Sequence, residues 1–295
     1  MTHLLLSKVQ QFCLGDGPGI RTTLFFLGCD MRCAWCHNPE CFSPAPTPMY
    51  EKSACLACGL CLAVCPAGKA VPSQRPPRCV GCGLCADACP THALRMSGQR
   101  MSIEDVVDIV KQDTVFYGDD GGVTCSGGEP LVQAKESAIL LERCMDAGIH
   151  TAVETALHAG PDAVQALMPM VGLWICDIKC VTPALHKRWT GVDNAAIWMN
   201  LEMLLRVKAK VWIRLPLIPN VQTPTEWQAV AKRLAVLPAP ERIEIVPYHL
   251  LGKEKYPRLG LSRGYPDNQP PSAEQVAAVI TLMRKAGLPV MDTME

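Results

Sequence analysis

The sequence predicts an α/β fold with a mostly parallel sheet, interrupted near its start by a small cysteine-rich insertion. Short β-branched runs alternate with helix-compatible segments, and six such strand–helix units can be counted, the first beginning at residues 22–27. Between the first and second units lie two four-cysteine runs with identical spacing. We therefore divide the 295-residue chain into a main α/β domain, residues 1–48 and 98–295, and an insertion, residues 49–97.

Composition and cysteine usage restrict where the protein works and what it binds. Basic and acidic residues balance at 28 each, so no overall field attracts nucleic acid or an anionic membrane. The N-terminus lacks a basic segment, and no apolar stretch reaches the ~18 residues needed to cross a bilayer. The 17 cysteines cluster in C-x2-C spacings without a signal peptide, which indicates metal binding in a reducing compartment. We predict an oxygen-sensitive, anaerobic cytoplasmic protein without nucleic-acid or membrane partners.

The first elements lead into a three-cysteine motif. Residues 4–14 are predicted as a first strand or approach segment, and residues 15–19, with three glycines and a proline, form a tight turn that lets the backbone approach a partner closely. The strand at residues 22–27 then runs into the motif C-x3-C-x2-C. Its members are Cys29, Cys33 and Cys36.

Three closely spaced thiolates indicate an iron–sulfur cluster, because soft sulfur ligands suit iron. A [4Fe-4S] cube has four irons, and no fourth cysteine follows at ferredoxin spacing. One iron is therefore left open to a non-protein ligand, as in a catalytic zinc site. A structural zinc site is the alternative, but structural zinc is usually bound by two pairs of cysteines, each with C-x2–4-C spacing, or by cysteines together with histidines.

The insertion carries an internal repeat of 24 residues. Both halves contain Cys-Gly-Leu-Cys, and both have the spacing of bacterial two-cluster ferredoxins, in which the fourth cysteine of each run ligates the other cluster. The predicted ligands are Cys55, Cys58, Cys61 and Cys89 for one cluster, and Cys79, Cys82, Cys85 and Cys65 for the other. The clusters would stabilise a segment that is poor in apolar residues, and they could also relay electrons. These two roles are compatible.

The remaining strands are predicted at residues 122–126, 150–155, 173–179, 211–217 and 242–248. A capping pattern opens a helix at Ser102. Its predicted buried face is Ile103, Val106, Val107 and Val110, and that of the next helix is Leu131, Ala134, Ala138, Leu141 and Met145. In a parallel sheet, functional residues gather at the carboxyl ends of the strands.

Several polar motifs fall at these strand ends. Ser-Gly-Gly-Glu-Pro at residues 126–130 exposes backbone groups and an acceptor for an ammonium group, although it is also compatible with a plain turn. Asp177 and Lys179 lie on one face of their strand, where a structural ion pair is the alternative. Arg214 and His249 come at the ends of the last two strands.

These motifs together resemble the radical S-adenosylmethionine (SAM) enzymes, and within them the activating enzymes of glycyl radical enzymes, such as the pyruvate formate-lyase activating enzyme group. The segments that are similar include Asp16-Gly-Pro-Gly-Ile-Arg21, Phe25-Phe-Leu-Gly-Cys29 and Cys36-His-Asn-Pro39. The resemblance implies a partial, open (β/α)6 TIM-like barrel. It also implies an oxidoreductase that cleaves SAM reductively to methionine and a 5′-deoxyadenosyl radical, which removes hydrogen from a backbone glycine of a partner enzyme.

The resemblance also assigns residues to the SAM site. Gly127, Gly128 and Glu129 would hold the amino group, Lys179 would pair with the carboxylate, and Asp177 and Ile178 would also contact SAM. Trp35 and His37 would meet the adenine, although plain core packing is an alternative for Trp35. The further SAM contacts implied are Asn200, Arg214 and His249.

The resemblance leaves some cofactor and partner contacts open. Glu154 and Thr155 match a position where the pyruvate formate-lyase activating enzyme has Asp-Thr, so the resemblance implies two alternatives: a monovalent cation beside SAM, or the longer Glu154 taking its place through its own hydrogen bonds. Asp16 and Arg21 are expected near the glycine loop of the partner. Three [4Fe-4S] clusters would receive electrons from a donor such as flavodoxin or ferredoxin.

Two other functions compete with activation of a glycyl radical enzyme. A radical SAM enzyme acting on a small molecule or another peptide would keep the three-cysteine centre, and a ferredoxin-type electron carrier would need only the eight cysteines of the insertion. Six further cysteines receive no role, and burial is expected for those within strands and helices. They are Cys13, Cys41, Cys125, Cys144, Cys176 and Cys180.

Overall fold

The computed structural model describes residues 2–68, 79–262 and 269–291, and these contain ten strands. The link between the two cysteine runs, residues 69–78, lies outside the described residues. The strands are β1 His3–Cys13, β2 Arg21–Phe26, β3 Pro48–Tyr50, β4 Leu94–Met96, β5 Gln99–Ser102, β6 Gly122–Gly127, β7 His150–Thr155, β8 Leu173–Asp177, β9 Val211–Leu217 and β10 Arg242–Pro247.

Eleven α-helices connect and cover the strands within the described ranges. They are α1 Leu60–Ala63, α2 Leu84–Asp87, α3 Ile103–Gln112, α4 Thr114–Tyr117, α5 Ala134–Asp146, α6 Pro161–Leu167, α7 Pro183–Thr190, α8 Ala195–Arg206, α9 Pro224–Ala235, α10 Lys255–Arg258 and α11 Ala273–Lys285. Short 3-10 helices lie at Pro39–Cys41, Lys52–Ala54, Pro130–Gln133 and Met168–Met170. In the part of the chain that the structure describes, no helix is long and apolar enough to cross a membrane.

Eight strands form one mostly parallel sheet in the order β10-β9-β8-β7-β6-β2-β1-β5. The six strands from β2 to β10 in this sheet run parallel to their neighbours, while β1 pairs antiparallel with β2 and with β5. The six parallel strands confirm the predicted strand–helix units, with ends shifted by at most two residues. The carboxyl ends of these strands therefore meet along one edge.

Helical periodicity predicted one buried face correctly and the next only in part. Ser102 caps α3 by accepting from the Asp105 backbone N–H at 3.1 Å, and the predicted apolar face of α3 is buried. In α5, however, Met145 is 46% exposed, and Ser137 and Cys144 are buried instead. The prediction placed Leu131 in the same helix as α5, but Leu131 lies in the preceding 3-10 helix. A 3-10 helix has fewer residues per turn than an α-helix, so the positions that face the core in α5 differ from those predicted.

The two cysteine runs have the same local backbone. α1 and α2 begin 24 residues apart, and each is preceded by a glycine in the left-handed region, Gly59 at φ 75° and Gly83 at φ 84°. The residue two positions before each glycine, Ala57 or Gly81, is also left-handed. The repeat in the sequence is therefore a repeat of conformation, and the β3–β4 pair joins the two ends of the segment.

Candidate active site at the carboxyl ends of the parallel strands

A cleft of about 980 Å³ opens where the parallel strands end. That volume is at the upper end of the range of small-molecule and cofactor sites, roughly 300–1,000 Å³. Its wall is formed by the three-cysteine loop, the glycine turn after β1, the ends of β6 to β8 and residues along β9 and β10. The predicted site residues that line it are Asp16, Cys29, Cys33, Trp35, Cys36, His37, Gly127, Gly128, Glu154, Thr155, Asp177, Lys179, Arg214 and His249.

The three thiols of the C-x3-C-x2-C loop lie together at the cleft. Burial raises the pKa of Cys36 well above its usual value, and the neighbouring thiols of Cys33 and Cys29 raise it further. All three are free thiols, and the loop is fixed to the end of α7 by the Arg32 N–H to Thr190 and the Ala34 N–H to Trp189, at 2.7 and 2.9 Å. This donor set fits a metal cluster, whose binding would displace the thiol protons.

Two other cysteines lie near this set without joining it. Cys41 is close enough to Cys36 to raise its pKa slightly, but Cys41 is 1% exposed and does not line the cleft. Cys13 lines the cleft at the glycine turn, where Thr23 and Asp16 are its neighbours. The six cysteines given no role are all buried, as predicted for those in strands and helices.

A short C-terminal segment braces the residues that follow the third cysteine. Tyr256 donates its hydroxyl to the carbonyl of Cys36 at 2.9 Å. The Lys255 ammonium contacts Asn38 Oδ1 at 3.0 Å and Glu40 Oε1 at 2.6 Å. The brace joins positions more than 210 residues apart, so sequence periodicity gives no signal for it.

The end of β6 requires glycine for steric reasons. Gly127 has φ 103°, and a Cβ there would lie 2.4 Å from the Phe26 nitrogen; a Cβ on Gly128 would lie 2.4 Å from the Gly28 carbonyl. Any side chain would therefore push β6 away from the cysteine loop. The Gly-Gly pair brings bare backbone to the cleft beside the cysteines.

Glu129 is placed differently from the prediction that it faces a ligand. It is 1% exposed, does not line the cleft, and accepts from the Leu131 and Ala156 backbones and from Thr155 Oγ1, at 3.1, 3.0 and 2.7 Å. Burial raises its pKa to about 7, while these donors oppose the rise. Glu129 therefore ties the end of β6 to the end of β7, with one of about four acceptor positions left over.

Charged pairs lie at the ends of β7 and β8 and in the middle of β9 and β10, so Arg214 is not at the strand end where it was predicted. Lys179 lies 2.9 Å from Asp177, and although burial lowers the pKa of Lys179, Asp177 and Cys33 raise it overall. Arg214 contacts Glu154 at 2.5 Å and Glu244 at 3.0 Å, and it also donates to the Gly15 carbonyl. Burial raises the pKa of Glu154, but Arg214 lowers it overall, so both partners are charged at neutral pH.

Two histidines and a tryptophan form the opposite wall. His37 and His249 meet edge to face with ring centroids 4.6 Å apart, and both line the cleft. Burial, then the charge of Lys255, lowers the pKa of His37 to about 4, so its ring is neutral. Trp35 is 8% exposed; it both lines the cleft and packs against Trp189, with ring centroids 6.4 Å apart.

Three of the predicted contact residues do not line the cleft, and their side chains are buried. Asn200 is fully buried in α8 and donates to the carbonyls of Leu157 and Ala159, which fixes the loop after β7. Ile178 packs in the main core. Arg21 is fully buried and donates to Thr124 Oγ1 and to the carbonyls of residues 18, 120 and 123, so it organises the glycine turn from inside and exposes no surface of its own.

Sequence reasoning missed an apolar rim at the mouth of the cleft. Phe12 is 53% exposed, has φ 59° and stacks on Phe116 with ring centroids 4.5 Å apart. Leu14 is 76% exposed beside it. Asp16, in the same turn, is half-buried and accepts from Thr23 Oγ1 at 2.7 Å. An irregular register at the end of β1 turns these apolar side chains outward, and strand alternation does not predict such a register shift.

The cysteines of the insertion form two neighbourhoods. Burial raises the pKa of Cys61, and the thiols of Cys55, Cys58 and Cys89 add to the effect. Burial also raises the pKa of Cys85, to which Cys65 and Cys79 contribute. In both neighbourhoods the fourth cysteine of one run lies beside cysteines of the other: Cys89 beside the first three of the first run, and Cys65 beside Cys79 and Cys85 of the second.

Comparisons with known proteins agree on one family. A family model for the radical SAM superfamily matches residues 76–233, and one for a 4Fe-4S single cluster domain matches residues 15–60. The indoleacetate decarboxylase activating enzyme of Tractidigestivibacter scatoligenes is 34% identical, over 96% of this chain and 95% of the relative. The choline trimethylamine-lyase activating enzyme of Oleidesulfovibrio alaskensis is 35% identical, over 97% and 96%.

A further relative and a solved structure extend this result. The benzylsuccinate synthase activating enzyme of Thauera aromatica is 36% identical, over 97% of this chain and 91% of the relative. A domain of a pyruvate-formate lyase-activating enzyme from Bacteroides vulgatus is 31% identical with a TM-score of 0.50, covering 58% of this chain and 98% of that one. Since relatives above 30% identity match almost end to end, and the cleft holds the three-cysteine loop of the motif, this chain belongs to the radical SAM superfamily, in the family of glycyl radical enzyme activating enzymes.

Proposed function

We propose that this chain generates a glycyl radical in a partner enzyme, using one [4Fe-4S] cluster on Cys29, Cys33 and Cys36 to cleave SAM. The observation that supports this most is the set of three free thiols gathered at the cleft where six parallel strands end. The cluster, when bound, supplies one electron to SAM. SAM plus one electron gives methionine and a 5′-deoxyadenosyl radical; that radical takes a hydrogen atom from glycine, which gives 5′-deoxyadenosine and the glycyl radical.

The residues of this chain hold and orient SAM beside the cysteines. Lys179 presents a charged ammonium that can pair with the methionyl carboxylate. The bare backbone of Gly127 and Gly128 can approach the amino group closely, with Glu129 behind it. The neutral His37–His249 pair and Trp35 offer flat surfaces for the adenine.

The arrangement around Glu154 argues against a bound monovalent cation. One carboxylate oxygen accepts from Ser126 Oγ and the other from Arg214, both at 2.5 Å. The Arg214 guanidinium thus already supplies the positive charge that a cation would bring. We propose that this ion pair takes the place of the cation, while Thr155 supports Glu129.

The insertion, residues 49–97, is proposed to hold two further [4Fe-4S] clusters. The neighbours of Cys61 and Cys85 support the shared ligand sets, because each set includes the fourth cysteine of the other run. The repeated turn conformation supports an origin by duplication. One of the six parallel strands, β2, precedes the insertion, and the other five follow it. We propose that these six strands form the partial (β/α)6 barrel of radical SAM enzymes.

The partner in this proposal is a glycyl radical enzyme, and the reductant is a flavodoxin or ferredoxin. The rim of the cleft supports a protein substrate, because Phe12 and Leu14 expose large apolar side chains beside the rigid turn that carries Asp16. The relatives named above activate a decarboxylase, a lyase and a synthase, so the same centre is compatible with partners of several chemistries.

The proposed function predicts a specific iron count and product pair. After anaerobic reconstitution, the chain should bind about twelve irons, three cubes of four. Dithionite and SAM should then yield 5′-deoxyadenosine and methionine, and addition of indoleacetate decarboxylase, choline trimethylamine-lyase or benzylsuccinate synthase should give a glycyl radical detectable by EPR with at least one of them. About eight irons and intact SAM would instead support an electron carrier.

The brace on the cysteine loop gives a separate prediction. Tyr256→Phe should weaken SAM binding about two- to tenfold, because the loss of one hydrogen bond of roughly 0.5–1.5 kcal/mol frees the peptide between Cys36 and His37. The measurement is a SAM titration of the EPR signal of the reduced cluster. Tyr117→Phe is the matched control, since its buried hydroxyl also donates to a carbonyl, that of Val110, at 2.9 Å. Equal affinities in the two variants would contradict the role of the brace.

A further inference from the structure

The two cysteine runs of the insertion, residues 55–65 and 79–89, share a backbone turn but have different surroundings. Ala57 and Gly81 occupy the same repeat position, and both are left-handed, with φ 56° and 69°. Ala57 is exposed, whereas Gly81 is half-buried. A Cβ on Gly81 would lie 2.6 Å from the Pro46 carbonyl oxygen, which is closer than a real Cβ approaches an oxygen. The second run therefore requires glycine where the first run carries a methyl group.

The next glycine of each turn shows the same asymmetry. A Cβ on Gly83 would lie 3.9 Å from Met96 Cγ, in β4, whereas a Cβ on Gly59 would meet no atom of the described residues within 4 Å. The segment before the first run is tied to α10 by an exposed ion pair, Arg258–Glu51 at 2.8 Å, and such surface pairs contribute little. The turn of the second run is thus packed, and the turn of the first run is open to solvent.

Pro46, which the second run touches, lies at the base of the insertion. The next residue, Thr47, donates its backbone N–H to Ser97 Oγ at 2.9 Å. In return, the Ser97 N–H donates to the Thr47 carbonyl at 2.8 Å. These bonds join the two ends of the insertion where the chain leaves and re-enters the main domain. The second run is therefore the half that packs against this base.

The same linker also packs against the start of the three-cysteine loop. The Cα of Pro44 would lie 3.5 Å from a Cβ on Gly28, and Gly28 immediately precedes Cys29, the first proposed ligand of the SAM cluster. Two residues of chain span at most about 7 Å. Only the short strip of residues 44–46 therefore separates Gly81 from the residue before the SAM cluster.

We propose that the second run is the docked half of the insertion, and that the cluster it would share with Cys65 is the immediate neighbour of the SAM cluster, at a spacing set by the contact of Gly81 with Pro46. This inference rests on the proposed function, because it orders the three clusters of that proposal. An electron that passes through the insertion leaves it from this inner cluster, which loses one electron while the SAM cluster gains one, and no bond forms or breaks. The cluster assigned to the first run is the outer one.

The first test asks which accessory cluster interacts magnetically with the SAM cluster. The reconstituted full chain is reduced with dithionite, and the SAM-sensitive EPR signal is measured for its line width and its microwave power saturation, since a nearby paramagnetic cluster broadens the signal and speeds its relaxation. Cys82→Ser removes a ligand of the second run, and Cys58→Ser removes the equivalent ligand of the first; both cysteines are exposed. We expect the interaction to be lost in Cys82→Ser and kept in Cys58→Ser.

A second set of variants keeps all eight proposed ligands, so it decides the question even where a ligand variant loses both cubes. Gly81→Leu is compared with Ala57→Leu, because the two positions are equivalent and both place the side chain on a left-handed residue. Gly81→Leu should weaken the magnetic interaction by moving the second run away from Pro46, and Ala57→Leu should match wild type. Gly81→Ala, which copies the residue of the first run, should weaken the interaction to a smaller extent.

Three results would overturn the inference. They are an interaction lost in Cys58→Ser but kept in Cys82→Ser, equal spectra for Gly81→Leu and Ala57→Leu, and a wild type whose SAM-sensitive signal shows no interaction. Failure of the proposed function looks different, because the dithionite-reduced wild type would then leave SAM intact.

Discussion

Cys33→Ser is expected to abolish SAM cleavage while leaving about eight irons on the chain. A hydroxyl does not replace a thiolate as an iron ligand, and the remaining pair, Cys29 and Cys36, cannot hold a cube that already lacks a fourth protein ligand. The cysteines of the insertion belong to separate neighbourhoods and should keep their two cubes. Production of 5′-deoxyadenosine with dithionite should fall by more than about 100-fold, the upper end of the loss seen when only a ligand's support is removed.

The matched control is Cys144→Ser, since Cys144 is a fully buried free thiol in α5, within the main core. It should lose some stability and keep about twelve irons and SAM cleavage. Iron counting and product analysis of both variants make the comparison. If Cys33→Ser still cleaved SAM at the wild-type rate, the three-cysteine loop would not be the reaction centre, and the electron-carrier function would become the better proposal.

Arg21→Met is expected to lower the free energy of unfolding by about 3–5 kcal/mol, the largest stability effect we predict. Arg21 is fully buried and satisfies the carbonyls of residues 18, 120 and 123; each buried carbonyl left without a donor costs roughly 1–3 kcal/mol. Burial lowers the pKa of Arg21 to about 10, so the guanidinium remains charged at neutral pH and keeps these contacts.

The measurement is urea unfolding of the apoprotein under reducing conditions, with Arg100→Met as the control. Arg100 lies exposed on β5, and its replacement should change stability by less than about 0.5 kcal/mol. A similar small change for Arg21→Met would mean that the glycine turn is held by other contacts. Loss of partner activation without loss of stability would restore Arg21 as a partner contact.

Local patterns in the sequence predicted the cysteine motifs and the order of the strands and helices. The three cysteines, the repeated cysteine runs and the six parallel strands were all predictable, because ligand spacing and strand–helix alternation are local properties of the chain. The burial of Cys125, Cys144 and Cys176 followed from their places in strands and helices. The errors in the predicted elements were small; one example is the set of buried residues in α5.

The tertiary structure decided which polar side chains face the cleft. Arg21 bonds to Thr124, 103 residues away, and Glu129 bonds to Thr155, so both side chains join neighbouring strands. The Lys255–Glu40 pair depends on segments that meet only after folding. A sequence shows that such a side chain is polar, but burial and available partners decide its role, and these are set by distant parts of the chain.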